Sequence, residues 1–353
     1  MQHDLVHYIA KSPEAALETE FNELALRLFH YQYTHNLCYQ QFCRLKAIHP
    51  ESVTRWDEVP PLPVLAFKWA EITCRVNETP ARLFYSSGTT QAEKSRHRLF
   101  DLVTARAAIL AHFKRHLLPD CDQMRMMMLT PSPEEAPHAS LSYMMSVVRE
   151  LFGAPGSRYC IQNGMLQSDP LMKDLSSTEI PLMLLGTSFS FVHLIDFCEK
   201  EGLKCTLPKG SRLMDTGGFK GQSREVPQHW IYDKAEELWG IPAVFCVNEY
   251  GMSEMTSQFY DRVAGFSGPR MYVAPPQVRT RVLSPETLQP VPDGETGLLA
   301  HTDLANIDTV ASLLTEDLGR KMDGGFVLLG RATGADRKGC SITMDELSGP
   351  ATF

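Results

Sequence analysis

Several protein classes are excluded by what the sequence lacks. No stretch of its 353 residues approaches the roughly 18 consecutive apolar residues that a membrane-spanning helix needs. Residues 1–7 show no basic region followed by an apolar core, as a secretory signal would. Lysine and arginine, 34 in all against 42 aspartates and glutamates, form no cluster that could neutralise nucleic-acid phosphates. We therefore expect a cytoplasmic protein with no membrane span and no nucleic-acid partner.

The sequence also lacks paired cysteines. Its nine cysteines are odd in number and include no Cys-x-x-Cys pair, which argues against a disulfide scaffold and a zinc ribbon. Most lie in apolar surroundings, such as Cys246, where a thiol behaves as a small hydrophobic group. Cys340 differs because it follows Arg337 and Lys338, whose charges would favour the nucleophilic thiolate if they point toward it. An ordinary tail cysteine is the alternative for this residue.

What is present is the composition of a globular protein, with 43% hydrophobic and 22% charged residues. In the middle of the chain, short apolar segments alternate with helical patterns. We predict strands at 124–129, 159–161, 181–185, 212–214 and 243–247, and helices at 101–118, 141–152, 189–201 and 228–239. This alternation predicts an α/β fold with mainly parallel sheets flanked by helices. Loops that leave the carboxyl ends of such strands, here near 186, 216 and 248, are where ligands bind.

The two flanks of this region have other patterns. Apolar residues at steps of three and four over 17–45 predict helices, with a break near 34–36. Prolines at 60, 61 and 63 make the segment 56–70 largely extended or turn-like. After Gly265, alternating apolar residues and turn signals predict a small β-rich portion, either antiparallel or barrel-like.

A stretch rich in hydroxyls and cations, at 82–98, precedes the alternating region. Its short apolar run is followed by five small residues, Ser86, Ser87, Gly88, Thr89 and Thr90, and then by Lys94, Arg96 and Arg98. Glycine lets the backbone turn close to a ligand, hydroxyl and N–H groups donate to phosphate oxygens, and cations offset the phosphate charge. The Walker A spacing is absent. The stretch is therefore a nucleotide loop of another type, or a polar surface turn.

Three motifs together resemble the superfamily of adenylate-forming enzymes, which includes acyl-CoA synthetases and firefly-type luciferases. They are residues 86–90 with Lys94, residues 250–254, and residues 315–317 followed by Arg331. Further strings resemble the acyl-protein synthetase family, typified by the synthetase subunit of the fatty acid reductase of bacterial luminescence. These strings lie at 63–68, 216–221, 249–261, 303–306 and 339–341, so the narrower match covers nearly the whole chain.

The resemblance implies one large adenylate-forming domain over residues 1–353. Its parts would be a helical lead-in (1–80), an α/β nucleotide-binding part (81–265), a β-rich part (266–330) and a truncated hinge and tail (331–353). The lid domain of the superfamily normally begins where this chain stops, at Phe353, so we expect it to be absent. The resemblance also implies a ligase that uses ATP and Mg²⁺ to convert a fatty or related carboxylic acid into an acyl-adenylate.

The resemblance further assigns roles to individual residues. Glu254 would bind Mg²⁺, and Cys340 would take the acyl group and pass it to a reductase or a carrier protein, which is the expected partner. With Lys94, these two would be the catalytic residues. The nucleotide-binding residues would be Ser86, Ser87, Gly88, Thr89, Thr90 and Lys94 at the pyrophosphate, Asp317 and Arg331 at the ribose, and Gly217, Gly218 and Tyr250 at the adenine, with Thr216, Glu249, Gly251, Met252 and Ser253 in the same motifs.

Alternatives stay open at this point. The acyl group could pass to CoA, a carrier protein or an amine, or the chain could be a nucleotide-binding subunit without catalytic activity. From the residues alone, Glu254 could cap a helix and Asp317 could be an acid in a turn. The loop also departs from the superfamily pattern, because Gln-Ala-Glu-Lys at 91–94 stands where that pattern has Gly-x-Pro-Lys.

Overall fold

The computed structural model describes residues 1–86, 94–217 and 226–332. They form two compact units, each assembled from segments that are distant in sequence. Unit 1 contains residues 1–108, residues 252–258 and the chain from Met271 onward, and unit 2 contains residues 109–251 and 259–270. Each unit has a main sheet of its own.

The elements have the following bounds in the described residues. The α-helices are α1 (Gln2–Ile9), α2 (Glu18–His35), α3 (Leu37–Leu45), α4 (Ala66–Trp69), α5 (Leu102–Leu117), α6 (Ser140–Phe152), α7 (Ser168–Ser177), α8 (Ser188–Glu201) and α9 (Gln228–Trp239). The strands are β1 (Leu62–Pro63), β2 (Arg82–Tyr85), β3 (Arg96–Leu99), β4 (Arg125–Leu129), β5 (Arg158–Tyr159), β6 (Ile161–Gln162), β7 (Met165–Leu166), β8 (Leu182–Thr187), β9 (Arg212–Thr216), β10 (Cys246–Tyr250), β11 (Phe259–Tyr260), β12 (Val278–Leu283), β13 (Thr296–Asp303), β14 (Ser312–Met322) and β15 (Gly325–Arg331).

The main sheet of unit 2 has the strand order β11-β10-β9-β8-β4-β5. The strands from β10 to β5 run parallel to one another, and β11 pairs with β10 in the antiparallel sense. Met126 to Leu129 of β4 are fully buried, as expected for a parallel strand covered on both faces. The predicted α/β fold with parallel pairs is confirmed, and α5, α6, α8 and α9 lie where the periodicity predicts helices.

Other elements differ from the prediction. Residues 243–245 form a 3₁₀ turn, in which the Phe245 N–H donates to the Pro242 carbonyl at 2.8 Å, so β10 begins at Cys246. The sequence pattern does not predict α1, α4 or α7, because each is short and buries few apolar side chains. Helix α7, for example, buries Leu171, Met172 and Leu175. Such a pattern is too weak to separate a helix from a loop.

The main sheet of unit 1 is antiparallel over β12, β13, β14 and β15, and β1 adds to β14 in parallel. The antiparallel alternative for this part is therefore confirmed, and over the described strands the sheet is open and not closed into a barrel. Helices α1 and α2 pack against Leu304, Ile307 and Ala311, which lie in the connection between β13 and β14. This connection recurs at the candidate site.

The predicted break between the two N-terminal helices is confirmed at Asn36. Its side-chain oxygen accepts a hydrogen bond from the Tyr39 N–H at 3.1 Å and so caps α3, and its amide donates to the Thr309 carbonyl at 3.3 Å. Because Asn36 is fully buried, these bonds fix the angle at which the chain leaves α2. Over residues 1–86, 94–217 and 226–332, no helix has both the length and the apolar character that crossing a membrane requires.

Candidate functional site

The predicted site residues are divided between the two units. Unit 1 carries Ser86, Lys94, Met252, Ser253, Glu254, Asp317 and Arg331, and unit 2 carries Thr216, Gly217, Glu249, Tyr250 and Gly251. Ser87, Gly88, Thr89, Thr90, Gly218 and Cys340 lie outside the described residues. Each unit thus has a set of candidate residues of its own.

In unit 1, strands β2 and β3, here called the hairpin, flank the hydroxyl-rich stretch in the sequence. Strands β2 and β3 are antiparallel, with Tyr85 opposite Arg96. Beyond this pair, the Ser86 N–H donates to the Ser95 carbonyl at 3.1 Å, and the Ser95 N–H donates to the Ser86 hydroxyl oxygen at 2.9 Å. These two bonds hold Ser86, which follows β2, next to Ser95, which precedes β3 and follows Lys94.

Glu254 lies in a turn that contacts this hairpin. The carbonyl of Ser253 accepts a hydrogen bond from His97 Nδ1 at 2.6 Å, and the Ser253 hydroxyl donates to the Tyr85 carbonyl at 3.5 Å. The chain after the turn continues without a helix as far as β11. The interpretation of Glu254 as a helix cap is therefore wrong, and its carboxyl is available for another role.

The surroundings of the Glu254 carboxyl include two cations. Glu254 is 7% exposed, and this burial raises its pKa, whereas a hydrogen bond from the Ser95 hydroxyl and the charges of Arg331 and Lys68 oppose the rise in pKa. Lys68 belongs to α4, in which Phe67 lies against His97 with ring centroids 6.1 Å apart. The sequence does not identify Ser95 or Lys68 as site residues, and the one signal for Lys68 is that it ends the string at 63–68.

Asp317 and Arg331 lie opposite each other on β14 and β15. Arg331 Nε is 3.6 Å from Asp317 Oδ1, and the Asp317 N–H donates to the Thr315 hydroxyl oxygen at 3.0 Å. The interpretation of Asp317 as a turn acid is wrong, because the residue is inside a strand. Since Arg331 also acts on the Glu254 carboxyl, unit 1 brings the hairpin, the Glu254 turn and this ion pair to one place.

In unit 2 the candidate residues lie at the carboxyl ends of two neighbouring parallel strands. Thr216 ends β9, and Glu249 and Tyr250 end β10, with Thr216 opposite Glu249 in register. The Thr216 hydroxyl donates to the Glu249 carboxyl, and Tyr250 packs on Phe259 with ring centroids 5.6 Å apart. This is the edge where parallel sheets bind ligands, as the sequence predicts.

A buried carboxylate supports both strand ends. Asp215 accepts hydrogen bonds from the Tyr232 hydroxyl at 2.6 Å, from the Ser188 hydroxyl at 2.9 Å and from the Asn248 amide at 2.9 Å. The Ser188 hydroxyl is also 3.0 Å from the Gly217 carbonyl oxygen. Burial raises the pKa of Asp215, and the three donors oppose that rise in pKa. The cluster thereby links β9, β10 and the turn at Gly217, and the sequence alone does not show it.

Glu249 is expected to make stability depend on pH. Burial raises its pKa from 4.5 to about 7, with the Thr216 hydroxyl opposing the rise and the Asp215 charge adding to it. The unfolded chain releases this proton near pH 4.5, so between pH 4.5 and about 7 the folded chain holds more protons and loses stability as the pH rises. The loss from this group is at most about 3 kcal/mol.

A Glu249→Gln variant tests this expectation, because glutamine keeps an acceptor for Thr216 and does not titrate. Urea unfolding of both chains from pH 4.5 to 7.5 should show the variant gaining stability relative to the unaltered chain across that range. A difference that stays constant with pH would show that Glu249 does not change protonation there.

The donor set near Glu254 fits Mg²⁺ with a bound nucleotide. Mg²⁺ prefers oxygen ligands and is commonly held by one or two carboxylates together with substrate phosphates. Glu254 supplies one such carboxylate, and among the described residues no group of three or more His, Cys, Asp or Glu side chains forms a metal site without a substrate. A single carboxylate of this kind fits a metal ion that the phosphate groups of a substrate also bind.

Comparisons with known proteins agree with this geometry. A family model described as "Acyl-protein synthetase, LuxE" matches residues 10–348. The long-chain-fatty-acid–luciferin-component ligase of Aliivibrio fischeri is 22% identical over 344 residues, which are 92% of this chain and 87% of the relative. The ligase of the same name from Vibrio harveyi is 22% identical over 334 residues, covering 90% of this chain and 85% of the relative.

Solved structures show the same fold. The open conformation of 2-hydroxyisobutyryl-CoA ligase superposes with a TM-score of 0.65 at 15% identity, over 89% of this chain and 74% of that one. ATP-bound MatB from Rhodopseudomonas palustris gives a TM-score of 0.50 at 16% identity, over 73% of this chain and 49% of that one. The expectation of an adenylate-forming fold is confirmed.

Proposed function

The chain belongs to the acyl-protein synthetase (LuxE) family, and from that premise we propose that it activates a fatty acid and transfers the acyl group to its own Cys340. Membership makes the chain an ATP-dependent ligase that forms an acyl-adenylate and passes on the acyl group. The curated relatives are named for long-chain fatty acids and for a luciferin component. Those names support a fatty or related acid as substrate and an acyl-accepting reductase or carrier protein as partner.

The surroundings of Glu254 carry the adenylation step of the proposal. An oxygen of the substrate carboxylate attacks the α-phosphorus of ATP, a carboxyl-to-phosphorus bond forms, and pyrophosphate leaves with the electrons of the broken P–O bond. Negative charge grows on the phosphate oxygens, where the cations near Glu254, Arg331 and Lys68, would stabilise it. Mg²⁺ held by Glu254 would supply further positive charge at those oxygens.

The nucleotide-binding roles follow the position of each residue. In unit 1, the hairpin end supports the role of residues 86–90 and Lys94 at the pyrophosphate, and the ion pair with Arg331 turns the Asp317 carboxylate into an oriented acceptor for ribose hydroxyls. In unit 2, the strand ends support the role of Gly217 and Tyr250 at the adenine, with Thr216, Glu249 and Gly251 in the adjoining chain. The proposal gives Gly218 the same role as Gly217, and it includes Met252 and Ser253, which belong to unit 1. We propose that these residues belong to one adenylate-forming domain over 1–353, with the parts 1–80, 81–265, 266–330 and 331–353. We also propose that the protein acts in the cytoplasm, where ATP is available.

The burial and the raised thiol pKa of the other cysteines support Cys340 as the acyl acceptor. Eight cysteines lie in the described residues, and burial is the main cause that raises the pKa of each: Cys38, Cys43, Cys74, Cys121, Cys160, Cys198, Cys205 and Cys246. Thiols of this kind are poor nucleophiles because little thiolate is present. In the proposed transfer a thiolate attacks the acyl carbon, a thioester forms, and AMP leaves with the electrons of the broken carbon–oxygen bond.

Two measurements test the proposed function. Incubation with ATP, Mg²⁺ and a panel of fatty acids of different length should produce carboxylate-dependent exchange of labelled pyrophosphate into ATP. Mass spectrometry of the intact chain should show an added acyl group for the same acids. The absence of exchange with every acid would favour a nucleotide-binding subunit without catalytic activity. Exchange without a covalent adduct would favour CoA, a carrier protein or an amine as acceptor.

A further inference from the structure

The connection between β13 and β14 contains a set of buried polar side chains that the proposed mechanism does not use. We call residues 303–309 the 303–309 turn. Asp303 ends β13 and is fully buried. Its carboxylate accepts four hydrogen bonds, from the Thr256 N–H at 3.2 Å, the Ser257 N–H at 2.8 Å, the Ser257 hydroxyl at 2.8 Å and the Ala305 N–H at 2.9 Å. Three of these four donors belong to the chain just after Glu254.

Asn306 holds the same chain from the other end of the turn. Its amide donates to the Glu254 carbonyl at 3.0 Å and to the Val310 carbonyl at 3.2 Å. Its side-chain oxygen accepts from the Thr256 N–H at 2.8 Å and from the Thr256 hydroxyl at 2.6 Å. The backbone of Glu254 and of the following residues is thereby fixed by two buried side chains of the 303–309 turn.

The 303–309 turn also holds the hairpin. Asp308 accepts from the Phe100 and Asp101 N–H groups, directly after β3, at 2.7 and 2.8 Å. His97 of β3 lies 3.4 Å from the Thr309 hydroxyl through Nε2, while its Nδ1 bonds the Ser253 carbonyl. Since a carbonyl only accepts, Nδ1 carries the proton, and burial, which lowers the His97 pKa to about 4, keeps the ring neutral.

We propose that the 303–309 turn is the common anchor that sets the position of the Glu254 carboxyl relative to the hairpin, with Asp303 and Asn306 as positioning residues. The proposal rests on the role of Glu254 in the proposed function. Both elements are fixed to one short segment, so a displacement of that segment changes where the carboxyl meets the phosphate groups. Burying the Asp303 carboxylate would be unfavourable without its four donors, and those donors specify one placement of the Glu254 chain.

Asn306→Ala and Asp303→Asn test the proposal. The first removes the bond to the Glu254 carbonyl, and the second keeps the side-chain shape while replacing one acceptor oxygen by an amide donor. We expect the Mg²⁺ concentration for half-maximal pyrophosphate exchange to rise about 10-fold or more, and kcat to fall about 10- to 100-fold. Within residues 254–257, amide hydrogen exchange should become faster at Thr256 in both variants and at Ser257 in Asp303→Asn, because the bonds that protect these N–H groups are weakened.

Gln32→Met is the matched control for a purely structural role. Gln32 donates to the Asn306 carbonyl at 2.7 Å and accepts from the Ala311 N–H at 2.9 Å, so it supports the same turn through hydrogen bonds that do not involve residues 254–257. The Gln32→Met substitution should lower Tm while leaving the Mg²⁺ concentration for half-maximal pyrophosphate exchange within about two-fold of that of the unaltered chain. Asn306 and Asp303 variants that lose stability like Gln32→Met but keep the Mg²⁺ dependence and kcat would overturn the proposal. Unchanged amide hydrogen exchange at 254–257 would overturn the proposal without any activity measurement. Absence of pyrophosphate exchange in the unaltered chain would instead refute the proposed function.

Discussion

Replacing Cys340 by serine is expected to abolish the covalent acyl label on the protein while leaving carboxylate-dependent pyrophosphate exchange within about two-fold of the unaltered chain. Adenylation is complete before the thiol acts, so its rate does not depend on residue 340. In the proposed function the second step does depend on residue 340, because a serine hydroxyl has no appreciable anionic fraction near neutral pH. Pyrophosphate exchange measures the first step, and intact-protein mass spectrometry after denaturation, with release of the label by base, measures the second.

Cys121→Ser is the matched control for this experiment. Cys121 is a free, partly exposed cysteine, and burial raises its pKa, so it is accessible without being a good nucleophile. The control should keep both the label and the exchange activity. An acyl label that persists in Cys340→Ser would remove Cys340 from the mechanism. Loss of the acyl label in Cys121→Ser would indicate that Cys121 is the acyl acceptor.

The parallel sheet of unit 2 could be predicted from the sequence because the patterns that specify its strands and helices lie within short stretches of the chain. Strand β8 is a short apolar run followed by an amphipathic helix, and a buried parallel strand requires such a run. Gly202 and Gly240 end their helices with φ of 65° and 68°, a conformation that favours glycine. Once the strands are parallel neighbours, Thr216 and Glu249 must lie at the same edge. These parts of the site follow from pattern and topology.

The contacts of Glu254 were not accessible in the same way. Lys68 and Ser95 come from segments far away in the sequence, and no periodicity connects them to the Glu254 turn. The 303–309 turn is a further case, since Asp303 and Asn306 form hydrogen bonds with residues 46 and 52 positions away in the sequence. Long-range pairing of polar groups depends on the packed fold, and a hydrophobic pattern carries no information about it.

Glu254→Gln is expected to lower the rate of carboxylate-dependent pyrophosphate exchange by about 100-fold or more and to raise the Mg²⁺ concentration needed for activity. Glutamine has nearly the same shape and still offers an oxygen to the Ser95 hydroxyl, but it has no charge. It therefore removes the carboxylate that the proposal gives to Mg²⁺ and leaves the charges of Arg331 and Lys68 in place. Exchange rates measured across a Mg²⁺ titration report both effects.

The stability of this variant separates function from folding. Burial raises the pKa of Glu254, so this titratable carboxyl makes the folded chain less stable as the pH rises above the ordinary value of 4.5, and the neutral glutamine is free of that effect. Glu254→Gln should therefore unfold at the same temperature as the unaltered chain or higher, despite its loss of activity. Glu58→Gln makes the same chemical change at an exposed carboxyl that accepts from the Thr54 and Arg55 N–H groups, and it should keep full activity. Exchange in Glu254→Gln within two-fold of Glu58→Gln, at the same Mg²⁺ requirement, would contradict the role of Glu254 in binding the metal.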